Sequence, residues 1–310
     1  MSLNQSVLIC DQVNPILKDV LEKNGLKVTY EPEITPEQIS EKIGNFQVVV
    51  VRSRTKMTRE LVEKANKCQI IARVGVGLDN IDQDAAKEKN IRVINAVEGA
   101  ITAVAELVIG LMLSMAREIP RADREIRNGN WIKKELMGSE LQGKYLGIVG
   151  LGNIGKRLGK LAKSLHMNII GYDVVPIDDE FSKDVGLMKA DLDTLLSSAD
   201  YVSLHVPLLD STHHMINAEK LKLMKNTARI INTSRGGVID EEALYNSLKE
   251  GNIAGAALDV FEVEPATGNK LTTLPNFVAT PHMGAQTKEA QLLAANIIAE
   301  KIIQILRGVL

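Results

Sequence analysis

The stretch LGIVGLGNIG (146–155) runs an apolar segment into three glycines, Gly150, Gly152 and Gly155, and its surroundings decide how they are read. The residues from Tyr145 to Val149 are strand-like. Directly afterwards Ile154, Leu158, Leu161, Ala162 and Leu165 fall on one face at helical spacing. The glycines therefore occupy a strand-to-helix turn. There Gly150 permits the tight reversal, Gly152 lets backbone approach a pyrophosphate and Gly155 lets helix and strand pack closely. Asn153 and Ile154 open the helix, whose unpaired N–H groups suit an anion. Eighteen residues past Gly155, Asp173 ends the next strand candidate in GYDVV. A carboxylate there accepts hydrogen bonds from an adenosine ribose and repels a 2′-phosphate, and no arginine follows closely, so the pattern points to NAD over NADP. A structural turn beside a surface acid is the plain alternative, and a flavin or another nucleotide uses similar geometry.

Working outward, βα alternation continues through NIIGYD (168–173), YVSLHV (201–206), ARIINT (228–233), AGAALDV (254–260) and NFVATP (276–281). The first ninety or so residues show it too, at VLIC (7–10), VVVV (48–51), IIARV (70–74) and RVI (92–94). Between them Ala103, Leu107, Gly110, Leu111 and Ser114 mark a long helix, with a boundary read near Gly99. The last segment, Thr287 to Arg307, is an amphipathic helix expected to pack back on the first domain. The expected fold is α/β, with two Rossmann-like doubly wound parallel sheets and an interdomain cleft. Residues 1–98 with 284–310 are expected to form a flavodoxin-like, substrate-binding domain, and 99–283 an NAD-binding domain that includes the long interdomain helix and a dimerisation segment.

The chain has 310 residues, 45% of them hydrophobic and only 3% aromatic, which suits aliphatic strands buried between helices. A net charge of −2 gives no overall field for nucleic acid or an anionic membrane. Cys10 and Cys68 stand singly beside apolar runs, so buried free thiols are expected and no metal site. No leader is read at the N-terminus and no apolar run of membrane-spanning length, so the expectation is a cytoplasmic protein without a membrane partner.

Chemistry-bearing residues follow strands of the second domain: Arg235 in IINTSRGGVID, Glu264 in ALDVFEVEP and His282 in TPHMGAQT. Taken singly, each has an ordinary reading as a loop or surface residue. Together with ARVGVGLDNID (72–82), NGNWIKKELMGSELQGKYLGIVGLGNIG (128–155) and PHMGAQTKEA (281–290), they make the chain resemble the D-isomer-specific 2-hydroxyacid dehydrogenases, its phosphoglycerate branch most of all. The resemblance implies His282 as acid/base, Glu264 as its partner and Arg235 as the clamp on the substrate carboxylate. Physical chemistry agrees. A hydride leaving a secondary alcohol requires the hydroxyl proton to leave too, which a histidine near neutrality accepts. A carboxylate beside it fixes the tautomer, and a planar guanidinium matches a carboxylate.

The resemblance also implies that Asp259 meets the nicotinamide carboxamide, for which a turn cap is the alternative, and that Thr233 and Ser234 line the cofactor crevice. His205, with Val206 and Pro207, reads as strand and loop near adenine. In RVGVG (73–77), backbone N–H groups at Val74 and Gly75 suit a carboxylate. Arg54, Arg73 and a neighbouring subunit's Lys134 match basic positions for a substrate phosphate, surface charges being the alternative. Trp131 is expected in a homodimer interface, or else packed on its own long helix. The implied reaction is NAD-linked oxidation of D-3-phosphoglycerate to 3-phosphohydroxypyruvate in serine biosynthesis, and with the sequence ending at RGVL the expectation is a catalytic core without a regulatory domain. Two rivals stand beside it, a glyoxylate or hydroxypyruvate reductase and a dinucleotide-sensing, corepressor-like interaction protein.

Overall fold

Short apolar runs alternating with amphipathic helices bury their strands on both faces only by lying parallel between helices. The computed structural model describes residues 3–309 and divides into two compact units, Met1–Ala103 with Ala285–Leu310, and Val104–Gly284.

In the first unit β1 (Ser6–Ile9), β2 (Lys27–Tyr30), β3 (Val48–Val51), β4 (Ile70–Arg73) and β5 (Arg92–Asn95) form a parallel sheet in the order β2-β1-β3-β4-β5. This is the flavodoxin-like order. Every valine of β3 is fully buried, so the strand reads as an unbroken run and not as an alternation. Strand β2 has no such signature, because KVTY lies at the sheet edge with no buried residue, and the sequence reading passes over it. Helix Pro36–Lys42 opens on a capping box between Thr35 and Gln38. The last helix, Lys288–Leu306, is capped by Thr287, whose hydroxyl accepts the Ala290 N–H at 3.1 Å. Its Ala295, Ile298 and Ile302 pack with Val7, Ile9, Val48 and Ile70 in the first unit's core.

The second unit holds β6 (Tyr145–Val149), β7 (Asn168–Tyr172), β8 (Met188–Lys189), β9 (Tyr201–Leu204), β10 (Arg229–Asn232), β11 (Gly255–Leu258) and β12 (Phe277–Ala279). They lie parallel in the order β12-β11-β10-β9-β6-β7-β8, the doubly wound arrangement with one added strand. The order reverses between β6 and β9, where such sheets bind ligands at the carboxyl ends of their strands. Register aligns those ends. Val149 pairs with Tyr172 and Leu204, Leu204 with Asn232, Asn232 with Leu258, and Leu258 with Ala279. Gly150, Asp173, His205, Thr233, Asp259 and Thr280 each come one residue later and so stand in a row along one edge.

Two expectations change here. Gly99 is no break: it lies inside helix Val97–Ala116, where an added Cβ would come within 2.9 Å of the Ala294 Cβ. It is a packing glycine, and the units divide five residues further on, between Ala103 and Val104. That helix is also long and apolar enough to cross a membrane by length and composition, which the sequence reading does not anticipate. More than half of its apolar stretch is buried inside the protein, as in a core helix.

Candidate active site

The glycine turn follows β6 as its spacing predicts, and each glycine has its own reason. Gly150 has φ +92°, and a Cβ there would come within 2.7 Å of the His205 carbonyl oxygen. At Gly155 a Cβ would come within 2.1 Å of the Gly150 oxygen, closing the strand-to-helix contact. Gly152 caps helix Asn153–Ser164, and a Cβ there would enter open space. That is the cradle a phosphate needs: nothing of the protein fills it, and the helix N–H groups begin beside it. Asn153 is exposed and Ile154 half-buried at this helix start.

Asp173 is tied to the same turn. One carboxylate oxygen accepts the Leu151 N–H at 2.6 Å and the other the Val175 N–H at 3.0 Å. His205 closes the crevice opposite, its N–H donating to the Val149 carbonyl at 2.7 Å and its Nε2 lying 2.9 Å from Ser203 Oγ. Burial holds its pKa down at about 4, so the ring is neutral near pH 7. Val206 Cγ1 lies 3.1 Å from where a Gly150 Cβ would sit, and the Pro207 carbonyl accepts the Thr212 hydroxyl at 2.6 Å. Thr233 Oγ1 is buried with no hydrogen-bond partner among the described residues. Open cradle, ribose-side carboxylate and orphaned hydroxyl all stand on the row where a dinucleotide would lie, and together they fit one.

The chemistry-bearing residues gather on the loops after β10, β11 and β12. His282 Nδ1 lies 2.8 Å from Glu264 Oε2, with both side chains partly open to solvent, and Glu264 Oε1 accepts the Phe261 N–H at 3.1 Å. The contact leaves the outer His282 nitrogen, Nε2, uncommitted by Glu264. His282 adopts φ +50°, rare for a residue with a Cβ and typical of functional turns. Arg235 follows β10 in a turn built by buried Asn232, which donates Nδ2–H to the Arg235 carbonyl at 2.8 Å and accepts the Ser234 N–H at 2.9 Å. A Cβ on Gly236 would come within 1.9 Å of the Phe261 oxygen, so only glycine lets the Arg235 loop lie against the loop carrying Glu264.

Asp259 is buried at the end of β11. It is 1% exposed, and its oxygens accept the Thr280 hydroxyl at 2.6 Å, the Met283 N–H at 2.8 Å and the Gly284 N–H at 2.9 Å. Three groups of its own chain thus donate to this carboxylate.

In the first unit Val74 is buried and the Arg73 guanidinium lies over Gly75, where a Cβ would come within 3.1 Å of Nη1. Arg54 is engaged within its own unit. Its Nε pairs with buried Asp11 at 2.9 Å, Nη1 donates to the Ile34 carbonyl at 3.1 Å, and Nη2 donates to the Pro32 carbonyl at 2.8 Å and to Cys10 O. Four of its five N–H groups thus brace its own fold. Arg52, one residue past β3, donates from its side chain to the Gln12 carbonyl at 3.1 Å, and burial pulls its pKa below the ordinary arginine value. Lys134 and Trp131 lie on an exposed segment, Trp131 at 80% exposure, so it does not pack on its own helix.

Known proteins carry the same architecture. Residues 109–284 match the family described as D-isomer specific 2-hydroxyacid dehydrogenase, NAD binding domain. The chain belongs to this family. A D-3-phosphoglycerate dehydrogenase of Methanocaldococcus jannaschii is 48% identical over 97% of this chain and 57% of its own length. A hydroxypyruvate reductase of Thermotoga maritima is 47% identical over 91% of this chain and 92% of its own length. The chain thus spans little more than half the length of several curated relatives that it matches. Among solved structures, a glyoxylate reductase from Paecilomyes thermophila superposes with a TM-score of 0.89 at 29% identity, covering 98% of this chain and 95% of that one. An acyclic imino acid reductase in complex with NADPH and D-Arg does so with 0.88 at 28%, covering 98% and 97%.

Proposed function

We propose that the protein oxidises a D-2-hydroxyacid with NAD, that the substrate is D-3-phosphoglycerate, and that the product is 3-phosphohydroxypyruvate on a route to serine. The observation that carries this reading is the 2.8 Å contact between His282 and Glu264 on the sheet edge that also bears the glycine cradle. NAD, when bound, takes up the hydride from the substrate carbon. Gly150, Gly152, Asn153, Ile154 and Gly155 would hold its pyrophosphate and Asp173 its adenosine ribose, with His205, Val206, Pro207, Thr233 and Ser234 along the crevice. With Glu264 accepting from Nδ1–H, His282 Nε2 takes the hydroxyl proton, and the imidazolium so formed is stabilised by the adjacent carboxylate. Arg235, whose Nη1 donates to the Ser234 carbonyl at 2.6 Å, offers the rest of its planar guanidinium to the substrate carboxylate. Within the first unit, Val74 and Gly75 carry N–H groups that suit an anion, and Arg73 adds positive charge beside them.

The phosphoglycerate assignment is supported by relatives of that name at 48% and 41% identity. A homodimer through the segment around Trp131 is supported by the exposure of Trp131 and Met137, 80% and 88%. A reducing cytoplasm suits the two buried free thiols, whose pKa values burial pushes up to about 12 at Cys10 and about 11 at Cys68.

A second reading, hydroxypyruvate reduction, is favoured by the Thermotoga maritima relative and by Arg54, whose guanidinium is engaged within the fold. Initial rates with NAD across D-3-phosphoglycerate, D-glycerate and D-lactate decide between them. The proposal expects kcat/KM to favour D-3-phosphoglycerate by at least about tenfold, since losing a desolvated charge contact costs more than one neutral bond. A preference for D-glycerate transfers the assignment to the reductase. Tight NAD binding without turnover of any hydroxyacid revives the sensor reading.

A further inference from the structure

We infer that Asn232 is the positioning residue of the substrate-carboxylate arginine: its buried amide folds residues 232–235 into the turn that aims the Arg235 guanidinium. The inference rests on the dehydrogenase reading above and deepens it, giving a side chain behind the reacting groups a task in substrate binding.

Asn232 is the last residue of β10 and is 1% exposed. An asparagine at a strand end often bonds the backbone two residues on, and here that pattern is extended on both sides of one peptide. Oδ1 accepts the Ser234 N–H at 2.9 Å and the Ser234 hydroxyl at 2.7 Å, while Nδ2–H donates to the Arg235 carbonyl at 2.8 Å. The amide thus brackets the peptide between Ser234 and Arg235. That peptide supplies the Ser234 carbonyl, which accepts from Arg235 Nη1 at 2.6 Å, so the guanidinium is aimed by the backbone that Asn232 holds. Both ends of the turn are fixed as well. The Asn232 carbonyl accepts the Asp259 N–H at 2.9 Å, and Gly236 lies where a Cβ would come within 1.9 Å of the Phe261 oxygen. An arginine side chain is long and flexible, and its fork pairs two-pronged with a carboxylate at least entropic cost when its plane is set beforehand. Only an amide of this length suits the place, because it must accept from Ser234 and donate to Arg235 at once. Aspartate keeps the two Ser234 bonds and turns an acceptor on the Arg235 carbonyl.

The test uses the full chain and the variants Asn232→Asp, Ser234→Ala, Arg235→Ala and the double variant of Asn232→Asp with Arg235→Ala. With D-3-phosphoglycerate, or whichever hydroxyacid the wild type turns over, Asn232→Asp is expected to raise KM by at least about tenfold while kcat falls by less than about threefold, the signature of lost uniform binding. Its NADH affinity, read by fluorescence titration, should stay within about threefold of wild type. Ser234→Ala, which removes one of the three bonds to the amide, should raise KM by a smaller factor. The double variant traces the route: in the Arg235→Ala background the Asn232→Asp penalty in kcat/KM should shrink to less than about twofold, because the group being aimed is gone, whereas independent sites multiply their penalties. The Arg235 Nε–H resonance, assigned by its loss in Arg235→Ala, should be sharp in the NMR spectrum of the wild type and exchange-broadened in Asn232→Asp, a readout independent of turnover. Wild-type KM in Asn232→Asp, or its full penalty in the double variant, overturns the inference. Should Asn232→Asp fail to fold, Ser234→Ala at wild-type KM overturns it equally. A wild type that turns over no hydroxyacid defeats the dehydrogenase reading alone, and the NMR comparison still decides whether Asn232 aims the guanidinium.

Discussion

His282 with Glu264 and His214 with Glu262 stand at almost the same separation, 2.8 and 2.9 Å, and the two glutamates share one turn after β11. The difference is which nitrogen each imidazole commits. His282 bonds through Nδ1, beside its own backbone, and keeps Nε2 at the ring tip for another molecule. His214 commits its Nε2 tip to Glu262, stacks on His213 with ring centroids 3.9 Å apart, and donates its backbone N–H to Gly237 at 2.7 Å. Glu262 is engaged a second time by the Glu241 N–H at 3.2 Å. A histidine beside a carboxylate is therefore not by itself an acid/base group. The free tip makes it one, and the second pair works as a strap between the Arg235 loop and the Glu264 loop.

His282→Ala breaks the first pair outright and should lower kcat by about 10²–10⁴, the usual worth of a positioned acid/base, with NADH affinity nearly unchanged. A variant at near-wild-type speed removes His282 from the chemistry. Glu264→Gln keeps the contact's shape but not its charge, and a loss of about 10²-fold is expected, together with a changed pH profile of kcat/KM. His214→Ala sharpens the contrast. A half-exposed ion pair contributes about 1 kcal/mol or less, so kcat should fall by no more than about fivefold while KM for the hydroxyacid rises through Arg235. If His214→Ala matches His282→Ala, the distinction between the pairs fails.

A third histidine gives the smallest effect. Burial holds His205 at about 4 in the folded chain against an ordinary 6.5, so as pH falls the unfolded chain takes up that proton first. Stability should therefore decline between about pH 6.5 and 4 and not further through this group. Thermal melting across that range should fall by about 2–4 °C for each kcal/mol lost, and His205→Gln should flatten the slope.

Much of this was legible in the sequence because it rests on backbone rules. Glycine spacing, the apolar face after it and the acid at the next strand end define the cradle without knowledge of any side chain's direction. His282, Glu264 and Arg235 stand out the same way, as polar residues just past apolar runs. Arg54 and Asp259 show what such a pattern leaves out, since nothing in it says whether a charged group past a strand turns outward or back. Both turn back: Arg54 to Asp11 and the carbonyls of Pro32 and Ile34, Asp259 to the histidine turn. Strand β2 was lost for the converse reason, as an edge strand needs no apolar run.

Gly152 differs from its neighbours in what its missing side chain would strike, which is nothing of the protein. Gly150 and Gly155 answer to the chain's architecture, Gly152 only to its guest. In a descendant copy released from dinucleotide binding, drift would therefore reach Gly152 first, and alanine at that position in an otherwise intact sequence would mark a lineage that has kept the fold and given up the cofactor.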